Sequence, residues 1–124
     1  MKRHFSPAEQ KLNINNGIRG LLRQVQGDIN HPTLTAKFVE NHFKKRVNLY
    51  DPIVQESLIS HKLGHVVLEL GILKIKRQFP ESVVQRNEIA KFYTQFIEAN
   101  KDKLSIPSIQ QIVDKYNLMD IIGK

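Results

Sequence analysis

The amino-acid sequence predicts an all-α fold, a single domain over residues 1–124 built as a bundle of five or six helices around a long central helix near 52–78. Three observations lead there. Apolar residues recur at three- and four-residue spacing along most of the chain. Capping side chains stand just ahead of prolines at Ser6-Pro7, at Asp51-Pro52 and at Ser105 with Pro107, an order that opens helices. No segment shows sustained two-residue alternation bounded by hairpin turns. With 124 residues, 40% of them apolar and no cysteine, the chain is large enough to close one core without disulfides or a structural metal.

Ser6-Pro7-Ala8-Glu9 forms a capping box, so a short helix begins there. Asn15-Asn16-Gly17 predicts a turn, after which Ile18, Leu21, Leu22 and Val25 place a second helix over about 15–27, weakened by its glycines. Beyond the Asn30–Thr33 loop, Leu34, Phe38, Val39, His42 and Phe43 make one apolar stripe of a helix running to about Arg46. Asp51-Pro52 opens the long helix, which the approach to Pro80 ends at Gln78. It carries a broad core stripe from Ile53 to Leu73 and a second apolar line of Val54, Leu58 and Ile72. Residues 81–99, with Val84, Ile89, Phe92, Tyr93, Phe96 and Ile97 on one side, give an amphipathic helix. A last helix follows Ser105 and Pro107, and the chain ends on the apolar Leu118, Met119, Ile121 and Ile122. No repeat or interdomain linker interrupts this order.

Charge is the most informative quantity, at +7 overall. Residues 1–46 hold nine Lys or Arg against three Asp or Glu, a net of +6, whereas residues 47–124 hold ten against nine, a net of +1. A localised excess of this kind suits a surface that meets a polyanion or an acidic partner. Arg19 and Arg23 lie one turn apart, and Lys37 and Lys44 form a ridge that ends in Lys45 and Arg46. Lys74, Lys76 and Arg77 close the long helix and either extend that surface or complement the helix dipole. Such rows follow a phosphate backbone without reading bases.

Sequence-specific DNA reading is disfavoured. The connection from Arg46 to Asp51 is long for a helix-turn-helix, and the would-be recognition helix starts Asp51-Pro52-Ile53-Val54-Gln55-Glu56, with only Gln55 suited to base edges. His61, His65 and Glu69 fall at i, i+4 and i+8 and can project to one side, a spacing able to chelate a divalent ion. Lys62-Leu63-Gly64 between the histidines lacks the glutamate of the HExxH metalloproteases, and a histidine pair at a polar–apolar boundary is the preferred account. Nucleophile elbows, phosphate loops and dinucleotide glycine patterns are absent from the sequence.

The expectation is therefore a small, basic, non-enzymatic accessory protein without cofactor or metal, binding nucleic acid or working inside a nucleoprotein assembly. The alternative is a protein–protein adaptor, binding an acidic partner or assembling through Val54, Leu58 and Ile72 and through Leu118, Met119, Ile121 and Ile122. For that tail the favoured site is the protein's own bundle, near Leu58 and Ile72. Apolar runs are too short to span a bilayer, and the polar Ser6–Lys11 stretch follows basic Met1–His4 where a secretory signal would need apolar residues, so a cytoplasmic protein is expected.

Overall fold

The computed structural model describes residues 6–44 and 46–122. Seven α-helices run through them: α1 (Pro7–Gln24), α2 (Ala36–Phe43), α3 (Pro52–Ser60), α4 (Gly64–Gln78), α5 (Val83–Asn100), α6 (Ile106–Lys115) and α7 (Leu118–Ile122). A 3-10 turn, Lys101–Lys103, joins α5 to α6, and the described residues contain no strand. The all-helical expectation holds, but the tail adds a further helix, α2 ends at Phe43 and not near Arg46, and the largest boundary changes fall at two places.

The first is α1. Ser6 Oγ accepts the Glu9 amide at 3.2 Å and Glu9 Oε1 accepts the Ser6 amide at 3.4 Å, so the capping box forms as expected. The helix then continues through Asn15-Asn16-Gly17, where the sequence predicted a turn. Packing supplies the reason. Ile14, Ile18 and Leu21 are buried on one side, and Gly17 lies so close to α2 that an added Cβ would stand 2.6 Å from Phe43 Cε1. This glycine marks a helix–helix approach, and the buried face outweighs its propensity cost of about 1 kcal/mol.

The second is the expected 52–78 helix, which is two helices. Lys62 takes a left-handed conformation, φ 64°, Leu63 N–H donates to Leu58 O at 2.8 Å, and Lys62 N–H donates to Ile59 O at 3.0 Å. This pair of bonds is a Schellman closure, with Leu58 and Leu63 both fully buried across it. Gly64 then starts α4 in contact with Leu104, leaving no room for a side chain at that position.

The central element is consequently α4, which packs against α2, α3, α5 and α6. Gly71 admits the Phe92 ring of α5 against its backbone. The buried apolar side chains of α1 to α7 form one cluster. The α1–α2 connection is fastened from the far end of the chain: Ser105 Oγ donates to Asn30 Oδ1 at 2.6 Å, and Gln111 Nε2 donates to Asn30 O at 3.1 Å. Val84, part of the expected α5 stripe, is 53% exposed.

The tail docks on its own chain, but not where expected. α7 packs on α5 and α6, Leu118 is fully buried, and Arg86 Nη2 donates to Asp120 O at 3.3 Å. Leu58 and Ile72 are already enclosed by the core and leave no face for the tail to cover.

Candidate functional site

Arg19 and Arg23 stand exposed on α1, away from the Ile14–Ile18–Leu21 side that enters the core. With Asn16, Leu22, Gln26 and Gly27 they line an open depression of about 670 Å³. Arg19 Nη1 donates to Asn16 Oδ1 at 3.4 Å, a weak bond that leaves most of its guanidinium facing solvent. Gln26 and Gly27, with φ of 59° and 76°, turn the chain at the end of this face.

Lys37 is exposed on α2, and Lys44 is exposed just past its end, where the chain turns left-handed with φ 49°. The side of α2 toward α1 is marked by His42, whose imidazole bridges Gly17 O at 3.3 Å and Gln24 Oε1 at 2.9 Å. Lys37, five residues before His42 on the same helix, falls on a different side of α2. Lys45 lies outside the described residues. Arg46 folds back: Nε donates to Phe43 O at 3.0 Å and Nη2 to His42 O at 3.2 Å. Its charge complements the carbonyl end of α2.

Two of the three cations at the end of α4 reach the same neighbourhood. Arg77 Nη2 donates to Tyr50 Oη at 2.8 Å, Lys74 Nζ stands 5.5 Å from the Tyr50 ring centroid, and Tyr50 Oη donates to Leu70 O at 3.3 Å. Tyr50 thus gathers Lys74 and Arg77 beside the turn that follows Lys44–Arg46. Lys76 instead lies 5.8 Å from the Tyr116 ring centroid, at α6. Of the eight expected cations among the described residues, Arg19 and Arg23 share the α1 depression, Arg46 closes the end of α2, Lys74 and Arg77 meet at Tyr50, Lys76 lies apart at Tyr116, and Lys37 and Lys44 stand exposed.

The apolar candidates need correction. Val54 is 5% exposed and Leu58, Ile72 and Leu118 are fully buried. They belong to the core because α3 and α4 are folded against each other, not extended with a second face to offer. Ile121 and Ile122 are partly buried against the same cluster, and only Met119, 64% exposed, faces outward.

His61, His65 and Glu69 do not form a ligand set. The helix break separates His61, whose Nδ1 is 2.8 Å from Ser57 O, from His65, whose Nε2 donates to Leu34 O at 2.8 Å. Glu69, 1% exposed, accepts from Ala36 N through Oε1 at 2.8 Å and from Lys115 Nζ and Tyr116 Oη through Oε2, both at 2.6 Å. Among the described residues no group of three or more His, Cys, Asp or Glu is arranged to hold a metal ion. Burial alone would push the Glu69 carboxyl up, but the Ala36, Lys115 and Tyr116 hydrogen bonds hold it below the usual carboxylate range. Burial lowers His65, outweighing the Leu34 bond and the Glu69 charge. Burial, then the bond to Glu69 and its charge, raise Tyr116 above the usual phenol range.

A feature that the sequence did not reveal is a cleft of about 380 Å³ between α1 and the segment from Phe43 to Val54. The α1 wall is Gln10, Asn13, Ile14 and Gly17, and the opposite wall is Phe43, Arg46, Val47, Asn48, Asp51, Ile53 and Val54. Asp51 commits Oδ1 to Ile53 N at 2.9 Å, capping α3, and Asn48 commits Oδ1 to Tyr50 N at 3.0 Å. The signal for this wall is the spacing of Gln10, Asn13 and Gly17 along one helix, which reads as a surface only when α1 is continuous.

Compared with models of protein families, with curated proteins and with solved structures, the chain matches none.

Proposed function

We propose that this is a small, non-enzymatic cytoplasmic accessory protein that binds nucleic acid, alone or within a nucleoprotein assembly, through Lys and Arg contacts to phosphates. The observation that carries the reading is the α1 depression. Arg19 and Arg23 are both exposed on it, and none of its lining residues is acidic. Two guanidinium groups one helical turn apart can address neighbouring phosphates with bidentate hydrogen bonds. The test is a fluorescence titration of random duplex and RNA at several salt concentrations. Binding should weaken steeply with salt, and Arg19→Gln with Arg23→Gln should reduce the slope on duplex by about 2, one for each lost phosphate contact. Absence of binding to any nucleic acid at low salt overturns the reading.

A second reading, a protein–protein adaptor, has one observation in its favour. Val83, Val84 and Met119 are 71%, 53% and 64% exposed on α5 and α7, which pack together. An interface there would bury apolar surface now in water.

A further inference from the structure

We propose that the cleft between α1 and the wall formed by Phe43 and Arg46–Val54 binds the base of an unpaired nucleotide, an inference that rests on the nucleic-acid reading and adds to it a preference for strands with unpaired bases. The cleft, at about 380 Å³, lies in the size range of small-molecule sites. Its chemistry is divided. Ile14, Phe43, Val47 and Val54 offer an apolar surface for a ring face. Gln10, Asn13 and Asn48 offer amides, and Asn48, with its oxygen already engaged by Tyr50, has its NH₂ left to donate. An amide both donates and accepts, which matches the mixed donor and acceptor edge of a nucleobase.

Charge points the same way. Arg46 and Asp51 both line the cleft and oppose each other in sign, so the interior favours a neutral polar ring over an anion. Arg46 spends two of its nitrogens on the end of α2, and Asp51 spends one oxygen on the start of α3. An acyl chain of the same volume would leave the amides facing methylene groups, at the cost of their hydrogen bonds to water. The phosphate of the bound nucleotide stays outside the cleft, in solvent.

The same chemistry is carried by a free nucleoside monophosphate and by one unit of a strand, and the experiment separates them. Three labelled oligonucleotides of equal length are titrated at one salt concentration: a single strand, its abasic counterpart and a duplex. Free nucleoside monophosphates are added separately while the side-chain amide signals of Asn13 and Asn48 are followed by NMR. The intact single strand is expected to bind about tenfold tighter than the abasic one. Asn13→Leu, and independently Gln10→Leu, should remove that difference and leave the salt slope unchanged, because base contacts release no counterions. Amide shifts with free nucleotides would extend the site to them, whereas a strand effect without such shifts confines it to strand units. Equal binding of intact and abasic strands, with no shift from free nucleotides, overturns the cleft proposal and leaves phosphate-directed binding standing. If no strand binds at low salt, the nucleic-acid reading falls, and the free-nucleotide titration alone decides the cleft: shifts keep it and their absence overturns it.

Discussion

Glu69 caps a helix that it does not belong to: its Oε1 accepts the backbone N–H of Ala36, the first residue of α2, at 2.8 Å across 33 positions of sequence. Thr35 Oγ1 covers the Phe38 amide of the same turn at 3.2 Å. A carboxylate at that end also meets the positive pole of the helix. The other oxygen of Glu69 takes Lys115 and Tyr116 at the end of α6, so one buried side chain ties three helices together. Glu69→Gln should lower stability by about 1.5–3 kcal/mol, the range for hydrogen bonds to a charged group, as read from urea unfolding at pH 7.

The same cluster sets a pH dependence. His65 has a folded pKa below its ordinary 6.5, so the unfolded chain takes up a proton that the native imidazole refuses. Its contribution is complete above 6.5 and is lost as pH falls below that value. Glu69, held below its ordinary 4.5, adds a second loss as pH falls below 4.5. Unfolding free energy measured from pH 8 to 3 should decline in this order, and His65→Gln should flatten the first part. A profile unchanged by that substitution would contradict the assignment.

Two glycines of α1 should respond oppositely to alanine. Gly20 has no heavy atom within 4 Å of an added Cβ, so Gly20→Ala should stabilise by about 1 kcal/mol through helix propensity. At Gly17 the Cβ would meet Phe43, and Gly17→Ala should destabilise by about 1–3 kcal/mol as α1 and α2 are forced apart. Paired thermal melts decide both.

Lys62 holds the left-handed position that glycine usually takes at a Schellman closure. Lys62→Gly should relieve strain and raise stability by about 1 kcal/mol. A fall in stability instead would show that the lysine stem contributes packing there.

The tail offers a contrast between burial and exposure. Leu118→Ala should cost about 2–5 kcal/mol, because the side chain is fully enclosed. Met119→Asp, at a position 64% exposed, should leave melting unchanged. If the adaptor reading holds, Met119→Asp should also reduce association measured by sedimentation.

The fold class and most helix starts were legible because caps and periodicity are local. Ser6 and Asp51 cap helices through their own side chains as expected, whereas Ser105 precedes α6 without a side-chain cap because its hydroxyl goes to Asn30. The break before Gly64 was not legible, because the usual glycine signal at the left-handed position is replaced by Lys62. The continuity of α1 was hidden because Gly17 is explained by Phe43, 26 residues away. For the same reason a two-sided apolar pattern at Val54, Leu58 and Ile72 suggested an open face: periodicity states which residues prefer burial and not which neighbour buries them. The cations were legible as types, but their grouping depended on Tyr50, Tyr116 and the carbonyl end of α2. The cleft depended on two segments about 30 residues apart and carried no local signature.

The fastening of Asn30 by Ser105 and Gln111 has a consequence for the order in which the molecule is made. The polypeptide is synthesised from its N-terminus, and the basic first third emerges well before its fasteners. Until Glu69 is available, α2 lacks the acceptor for its first amide, and until α6 is available the Asn30 loop lacks its clamp. The segment that carries the charge excess thus completes its hydrogen bonding only once translation has reached Gln111.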